Sequence, residues 1–87
     1  MSYYVYIIRS KVDGTLYKGS SADYIKRLHE HNSGLSRYTS SKIPWELIYV
    51  EIHESRTEAL VRERKLKRCN RNYLLWLAEQ PSNILKT

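Results

Sequence analysis

Two residues one helical turn apart, Arg27 and His31, have side chains that could act on a charged substrate. A guanidinium binds phosphate or carboxylate oxygens through a planar fork of donors, and an imidazole exchanges protons near neutral pH. On a helix with about 100° per residue, both fall beside the inward stripe of Ile25, Leu28 and Asn32, where the helix meets a sheet. Either residue alone could be an ordinary boundary residue, with the Arg27 stem covering the sheet edge. Together they indicate a site for a charged substrate.

Two tyrosines on neighbouring predicted strands could add hydroxyl groups to this site. Alternation along a strand puts Tyr6 on one face of the first strand, and Tyr17 and Gly19 on one face of the second. If the hairpin pairs Tyr6 near Tyr17, the two hydroxyls lie together on a surface where Gly19 leaves room for a backbone or a ligand to approach closely. A cross-strand tyrosine pair is also common as a purely structural feature, so this pattern alone leaves both interpretations open.

A glutamate lies in the apolar stripe of a later predicted helix. Ala59, Leu60 and Leu66 define the core-facing side of that helix, and Glu63 falls in the middle of it. An unpaired buried carboxylate costs several kcal/mol, so it must be paired or bind a cation. One alternative is an ion pair with Lys67, four residues later. The other is a divalent metal held by one carboxylate together with waters and phosphate oxygens, which is how Mg²⁺ is usually bound.

Turn and capping residues predict the elements that must position these side chains. Asp13 and Gly14 are a turn signal between two strands, and Ser55 with Glu58 matches the capping-box pattern. The predicted strands are Tyr3–Ile8, 15–19 and Trp45–Ile52, and the predicted helices run from the Asp23 cap to about Ser33, from the Ser55 cap to about Arg68, and from the Asn70 cap through Glu79. Three strands cannot bury both faces of their sheet against each other. We therefore predict an α+β fold, a small three-stranded antiparallel sheet flanked by helices in the order β-β-α-β-α-α.

Length and charge set limits on the architecture and on the partner. A chain of 87 residues is predicted to form a single domain, residues 1–87. Fifteen Lys and Arg against nine Asp and Glu give a formal net charge of +6, which favours a polyanion such as nucleic acid as the partner. A basic but inert surface is the alternative that charge alone leaves open.

Cysteine content and the N-terminal sequence bear on the compartment. A single cysteine, Cys69, excludes an internal disulfide and a Cys-rich metal site. The apolar run near the N-terminus has no basic segment ahead of it and is too short to span a membrane. These features predict a soluble, cytoplasmic protein without a membrane partner, and we favour a monomer.

Four segments taken in order resemble the GIY-YIG nuclease superfamily, in particular its small stand-alone bacterial members. "YVY" at Tyr4–Tyr6 stands where the first signature triplet is expected, and "YKG" at Tyr17–Gly19 where the second is. "KRLHEHN" resembles the arginine-bearing helix of the family, and "TEALVRERKLKR" the helix that carries its metal-binding glutamate. The match extends over Tyr3–Arg68. It departs from the family pattern at Tyr4, which replaces a glycine, and at Lys18, which replaces an apolar residue.

The resemblance implies a metal-dependent endonuclease that hydrolyses phosphodiester bonds in DNA with one divalent ion, Mg²⁺ or Mn²⁺. A tyrosine with a pKa near ~10 is a poor base at neutral pH, so the general base could be either the first signature tyrosine or the histidine. The residues carried over by position are Tyr6, Tyr17, Arg27 and His31 as catalytic residues, Glu63 as the metal ligand, and Gly19 and Asn32 as structural residues of the site.

Basic residues around these segments are predicted to contact a nucleic-acid backbone. The hydroxyl-rich stretch 33–42 suits phosphate contacts without base reading, although a polar connector is equally consistent with it. We expect salt-sensitive, weakly sequence-specific binding. Two further functions remain open: a non-catalytic nucleic-acid-binding module, and an adaptor that uses the last helix, whose apolar stripe is more typical of a core. The predicted nucleic-acid contacts are Lys18, Lys26, Arg37, Lys42, Arg64 and Lys67.

Overall fold

A three-stranded antiparallel sheet with three helices forms the body of the protein, in a computed structural model that describes residues 2–86. The strand order in the sheet is β2-β1-β3, which places the first strand in the centre. The predicted α+β class and the order β-β-α-β-α-α are confirmed. The elements are β1 (Tyr3–Ser10), β2 (Leu16–Ser21), α1 (Tyr24–Asn32), β3 (Trp45–His53), α2 (Arg56–Lys67) and α3 (Arg71–Ala78), with short 3₁₀ turns at Ser40–Lys42 and Ile84–Lys86.

Side-chain caps fix where the three helices begin. The side chains of Asp23, Ser55 and Asn70 each accept a hydrogen bond from the backbone N–H three residues later, as the sequence predicts. The capping box of α2 is modified, because the Glu58 carboxylate accepts from the backbone N–H of Glu54 rather than from that of Ser55. Each helix therefore begins at a position set by one local contact.

Both faces of the sheet are covered, so the central strand is buried almost throughout. Alternate residues of β1 point to opposite sides: Val5 and Ile7 pack with α2 and α3, whereas Tyr6 and Ile8 face α1. Helices on both faces are what a three-stranded sheet needs to bury its apolar residues. Within residues 2–86, none of the helices has the length and apolar character needed to cross a membrane.

The β1–β2 register does not make Tyr6 and Tyr17 direct cross-strand partners. Tyr6 lies opposite Gly19, and Tyr17 lies opposite Ile8, so the condition under which the two tyrosines would pair directly is not met. The second strand also continues past Gly19 to Ser21, which turn residues alone did not indicate. Since a shift of two residues preserves the face, both tyrosines still project toward α1.

The first helix is rotated relative to the predicted orientation. Ile25, predicted to face inward, is 61% exposed, and His31, predicted to lie at the boundary, is completely buried. The inward stripe is instead Tyr24, Leu28 and His31, at the spacing i, i+4, i+7. The Tyr24 ring packs edge-on against that of Tyr4 at 4.9 Å, and the imidazole finds hydrogen-bond partners on both nitrogens. Satisfied hydrogen bonds allow a polar side chain to take the core position.

Candidate functional site

A buried chain of hydrogen bonds runs from β1 through α1 to the following loop. The Tyr6 hydroxyl lies 3.0 Å from Nε2 of His31, and Nδ1 of His31 lies 2.8 Å from Oγ1 of Thr39. The Thr39 hydroxyl donates its one proton to the carbonyl of Ser36, so its oxygen accepts from Nδ1–H. This leaves Nε2 as the acceptor for the Tyr6 hydroxyl. In this series of hydrogen bonds, the Tyr6 hydroxyl therefore donates its proton to the hydrogen bond with His31.

Burial sets the protonation states of this pair. Burial, supported by the nearby Arg27 charge, lowers the pKa of His31 to about 4, so the imidazole is neutral at pH 7. Burial also raises the pKa of Tyr6 to about 12, although the positive charge of Arg27 opposes this effect. The resting site thus contains a neutral phenol and a neutral imidazole, and Arg27 is the group that favours the phenolate.

The lowered pKa of His31 predicts how stability depends on pH. Between its ordinary value of 6.5 and about 4, the unfolded chain binds a proton on His31 and the folded chain does not. The stabilisation is therefore fully present above pH ~6.5 and is lost as the pH falls toward 4. Urea unfolding at several pH values should show His31→Gln less stable than wild type at pH 7 by about 1–3 kcal/mol, with the gap narrowing at acid pH.

The matched control for this measurement is His29→Gln, on the exposed side of the same helix. Its stability should follow that of the wild type at every pH. A difference between wild type and His31→Gln that stays constant from pH 7 to pH 4 would show that the imidazole is not held neutral by burial.

Gly19 makes room for the Tyr6 ring. A Cβ atom at Gly19 would lie 2.5 Å from the Tyr6 hydroxyl oxygen and 2.6 Å from the ring carbon that bears it. The prediction that Gly19 leaves the surface open to a ligand therefore changes, because the space is filled by a side chain of the protein itself. The glycine instead fixes the phenol against the edge strand.

We predict that Gly19→Ala displaces the Tyr6 ring and destabilises the fold. Overpacking of this kind costs about 1–3 kcal/mol, measurable as a shift in the urea midpoint. The same substitution in a Tyr6→Leu background should cost much less, because leucine does not reach the position of the phenol. An equal cost in both backgrounds would mean that the glycine is required for a reason other than the tyrosine.

Arg27 brings the positive charge of the site, and it has an internal partner. Its Nη1 donates to Oε1 of Glu30 at 2.7 Å, and both side chains remain partly exposed. Beside it, the ring of Tyr17 packs edge-on against the His31 imidazole at 5.2 Å between centroids. The arginine thus keeps donors near solvent while Tyr17 covers the buried histidine.

The Glu63 carboxylate approaches the edge strand from the other side of the sheet. The Ser20 hydroxyl donates to Oε1 at 2.5 Å, and the Lys67 ammonium lies 2.8 Å from Oε2. The Glu63 side chain is 16% exposed, and the ion pair with Lys67 that the sequence left open is present. Its negative charge also raises the pKa of the Tyr6 phenol, but less than burial and Tyr17 do.

The Glu63 carboxylate fits a metal bound through one protein ligand. Within residues 2–86, no group of three or more His, Cys, Asp or Glu side chains is placed to hold a metal ion, so a multi-carboxylate cage is absent there. The Ser20 hydroxyl already orients one carboxylate oxygen, and the other faces a cation whose side chain is 51% exposed. Mg²⁺ commonly takes one or two carboxylates and completes its octahedron with waters and substrate oxygens. The chemistry of this donor set therefore fits one hydrated divalent ion at Glu63, in the position that the Lys67 ammonium takes here.

The edge strand β2 is where the two halves of the candidate site meet. Tyr17 and Gly19 face α1, whereas Ser20 points to the other side and contacts Glu63. Sequence reasoning missed Ser20 because its partner lies 43 residues away in the chain. It also missed Thr39, whose contact with histidine depends on how the loop after α1 folds back.

The remaining predicted site residues lie in different places. Asn32 has a structural role. Its side chain donates to the Trp45 carbonyl at 3.0 Å and accepts from the Trp45 N–H at 2.6 Å, and these two bonds join the end of α1 to the start of β3. Lys18 projects to the sheet face opposite Tyr17, and the Lys42 ammonium pairs with Asp13. The other predicted backbone contacts are on the surface: Lys26, Arg37, Arg64 and Lys67.

Comparisons with known proteins agree on one family. The family model described as the GIY-YIG catalytic domain matches residues 2–74. A UPF0213 protein of Staphylococcus saprophyticus is 38% identical over 79 residues, which cover 90% of this chain and 95% of the relative. A UPF0213 protein of Staphylococcus aureus strain Mu3 is 38% identical over 80 residues, covering 91% and 96%. The solution NMR structure of a UPF0213 protein from Bacillus halodurans superposes with a TM-score of 0.60 at 30% identity, covering 99% of this chain and 92% of that one.

Proposed function

This chain belongs to the GIY-YIG family, and from that premise we propose that it is a metal-dependent endonuclease that hydrolyses phosphodiester bonds in DNA. The observation that supports the proposal is that strand β2 adjoins both halves of the candidate site: the phenol hydrogen-bonded to a neutral imidazole, with a guanidinium nearby, on one face, and the Glu63 carboxylate held by Ser20 on the other. Phosphodiester hydrolysis needs an activated water, positive charge for the phosphate and assistance for the leaving oxygen. The residues present can supply each of these.

Tyr6 and His31 act in series on the attacking water. The water gives its proton to the Tyr6 oxygen while the Tyr6 hydroxyl passes its own proton to Nε2 of His31. The Tyr6–His31–Thr39 hydrogen bonds support this direction, because they leave Nε2 free to accept. In this arrangement Tyr6 contacts the water and His31 is the final acceptor, so both candidates for the general base take part. The negative charge of bound phosphate raises the proton affinity of the imidazole.

Arg27 and Glu63 handle charge on the phosphate. The Arg27 guanidinium binds non-bridging oxygens of the phosphate. To do so it either breaks its hydrogen bond with Glu30 or uses the N–H groups that Glu30 does not occupy. When bound at Glu63, Mg²⁺ or Mn²⁺ supplies Lewis-acid stabilisation of the charge that develops on the phosphate and the leaving oxygen. Ser20 orients the carboxylate, and Lys67 neutralises it where no metal does.

The surface around the site suits a nucleic-acid backbone. A net charge of +6 attracts a polyanion, and Lys26, Arg37 and Arg64 are exposed cations on α1, the following loop and α2. Contacts of this kind give salt-sensitive binding with little sequence preference. The proposal includes DNA as the substrate, a cytoplasmic location and a monomeric protein.

A binding module that cleaves little or nothing is the second candidate. One observation favours it: the two charged groups assigned to chemistry are both paired internally, Arg27 with Glu30 and Glu63 with Lys67. A resting enzyme that exchanges these partners for substrate and metal would have the same geometry. Cleavage, rather than binding, distinguishes the two.

The deciding experiment is a nicking assay on supercoiled plasmid with Mg²⁺, with Mn²⁺ and with EDTA. We expect nicking by the wild type with either metal and none with EDTA. Arg27→Ala should lower the rate by about 10²–10³-fold, the loss typical of removing one group that stabilises transition-state charge. Arg56→Ala, an exposed arginine at the start of α2, is the matched control and should leave the rate unchanged. Salt-dependent binding with no cleavage of any DNA form would favour the binding module.

A further inference from the structure

Two hydrophobic side chains project from the loop between α1 and β3, residues 33–44, hereafter the α1–β3 loop. Tyr38 is 84% exposed and Leu35 is 73% exposed, the two highest values among the large hydrophobic residues of the described chain. Neither side chain has a role in the hydrolytic arrangement described above. Large apolar side chains are usually at least partly buried, so two strongly exposed ones on a single short loop mark this loop as a candidate contact surface.

The α1–β3 loop is anchored from below. Between the exposed residues, Ser36 and Thr39 are buried, and the Thr39 carbonyl accepts a hydrogen bond from the Trp45 indole at 2.9 Å. The Thr39 hydroxyl contacts the His31 imidazole, which in turn contacts the Tyr6 hydroxyl. Tyr38 is therefore presented on a fixed support, one residue away from a side chain that touches the proposed proton acceptor.

The charge of the α1–β3 loop identifies the kind of occupant. Residues 33–44 include no Asp or Glu and two cations, of which Lys42 pairs with Asp13 and Arg37 does not. Arg37 lies on the surface next to Tyr38, and no ion pair within residues 2–86 engages its guanidinium. An exposed aromatic ring beside an unpaired arginine is the combination that binds single-stranded nucleic acid, with a base stacked on the ring and a phosphate on the cation.

We infer that Tyr38 is a stacking platform for an unpaired base, and that the preferred substrate is DNA with unstacked nucleotides beside the cleaved phosphate, such as a gap, a flap or a branch point. The inference rests on the DNA-binding part of the proposed function and specifies its substrate class. In a continuous duplex each base face is covered by its neighbours, so the Tyr38 ring gains no contact there. An unstacked base offers a free face, with Leu35 packing beside the ring and Arg37 on the adjoining phosphate.

The test is a binding measurement in EDTA, where no cleavage occurs. Fluorescence anisotropy at one salt concentration compares a continuous duplex with the same duplex carrying a three-nucleotide single-stranded gap. The wild type should bind the gapped DNA more tightly. Tyr38→Ala should weaken binding to gapped DNA by about 5–150-fold, the range for loss of one base–aromatic stack, and binding to the continuous duplex by less than about twofold.

Two further variants separate stacking from other effects. Tyr38→Trp should retain the preference for gapped DNA, and Tyr73→Ala, which removes an exposed tyrosine of α3, should change neither affinity. Arg37→Ala should weaken binding to both DNAs and reduce the dependence on salt. Because Tyr38 is on the surface, its variants are expected to keep the far-ultraviolet circular dichroism spectrum of the wild type.

The possible outcomes distinguish this inference from the proposed function. Loss of the preference for gapped DNA in Tyr38→Ala supports the stacking role of Tyr38. This holds even if the plasmid assay shows no cleavage and so rejects the endonuclease activity. If the wild type cleaves DNA but Tyr38→Ala leaves both affinities unchanged, or lowers them equally, only the stacking role of Tyr38 is overturned. Failure to bind either DNA overturns both, and would leave the exposed pair to a protein partner.

Discussion

Glu63→Gln is expected to lower metal-dependent DNA cleavage by at least about 10³-fold. The substitution preserves the size of the side chain and an oxygen that can accept from the Ser20 hydroxyl, but it removes the negative charge that holds a divalent ion. Charge stabilisation by such an ion is worth several kcal/mol, and each 1.36 kcal/mol is a tenfold change in rate. Single-turnover rates on plasmid DNA measure this loss directly.

Glu58→Gln is the matched control, because it removes a 57% exposed carboxylate from the same helix. It should cleave at the wild-type rate. Mn²⁺ binding followed by electron paramagnetic resonance should show one site in the wild type and in Glu58→Gln, and none in Glu63→Gln. Since Lys67 is half exposed, its loss of a partner in Glu63→Gln should change stability by less than about 1 kcal/mol. Wild-type cleavage by Glu63→Gln would place the metal elsewhere.

Local signals in the sequence were enough to predict the fold. The three N-caps are contacts between residues three apart, and the alternating and helical patterns extend over single elements. Such features depend on neighbouring residues and are visible in the chain itself. The class, the order of elements and the stripe of α2 with Ala59 and Leu66 in the core follow from them.

Features that depend on how two elements meet were harder to predict. The rotation of α1 decides whether Ile25 or His31 is buried, and that rotation is set by partners on β1 and in the α1–β3 loop. The hairpin register decides that Gly19, rather than Tyr17, lies opposite Tyr6. Both features depend on contacts between elements, where propensity and periodicity are weak guides.

The correction at His31 changes the chemistry that the site supports. A boundary histidine with the ordinary pKa of 6.5 would be about one-quarter protonated at pH 7, whereas the buried imidazole is neutral and accepts from the phenol. Tyr6 alone has a pKa raised to about 12, so almost none of it would be phenolate at pH 7 and it would be a poor general base. In the proposed mechanism the hydrogen bond between them would reduce this difficulty, because the tyrosine would give its own proton to His31 as it takes one from the water.

Tyr6→Phe is expected to lower the cleavage rate by about 10²–10⁴-fold, the usual range for a group that transfers a proton in the transition state. Phenylalanine fills the same space over Gly19, so the fold should be retained. The buried Nε2 of His31 loses its partner, at a cost in stability of about 1–3 kcal/mol. DNA binding in EDTA should stay within about twofold of wild type, so the loss appears in the single-turnover rate.

Tyr49→Phe provides the matched control for that loss. Tyr49 is also fully buried, and its hydroxyl bonds to Glu51 and Ser82 on the other side of the sheet, so the stability cost should be similar while cleavage is unaffected.

Comparison of Tyr6→Phe with His31→Gln then separates the two proposed proton transfers, from water to Tyr6 and from Tyr6 to His31. If Tyr6 contacts the water and His31 accepts the final proton, both variants lose activity, and their double variant loses little more than either. Wild-type cleavage by Tyr6→Phe, with loss only in His31→Gln, would mean that the imidazole acts on the water without the phenol.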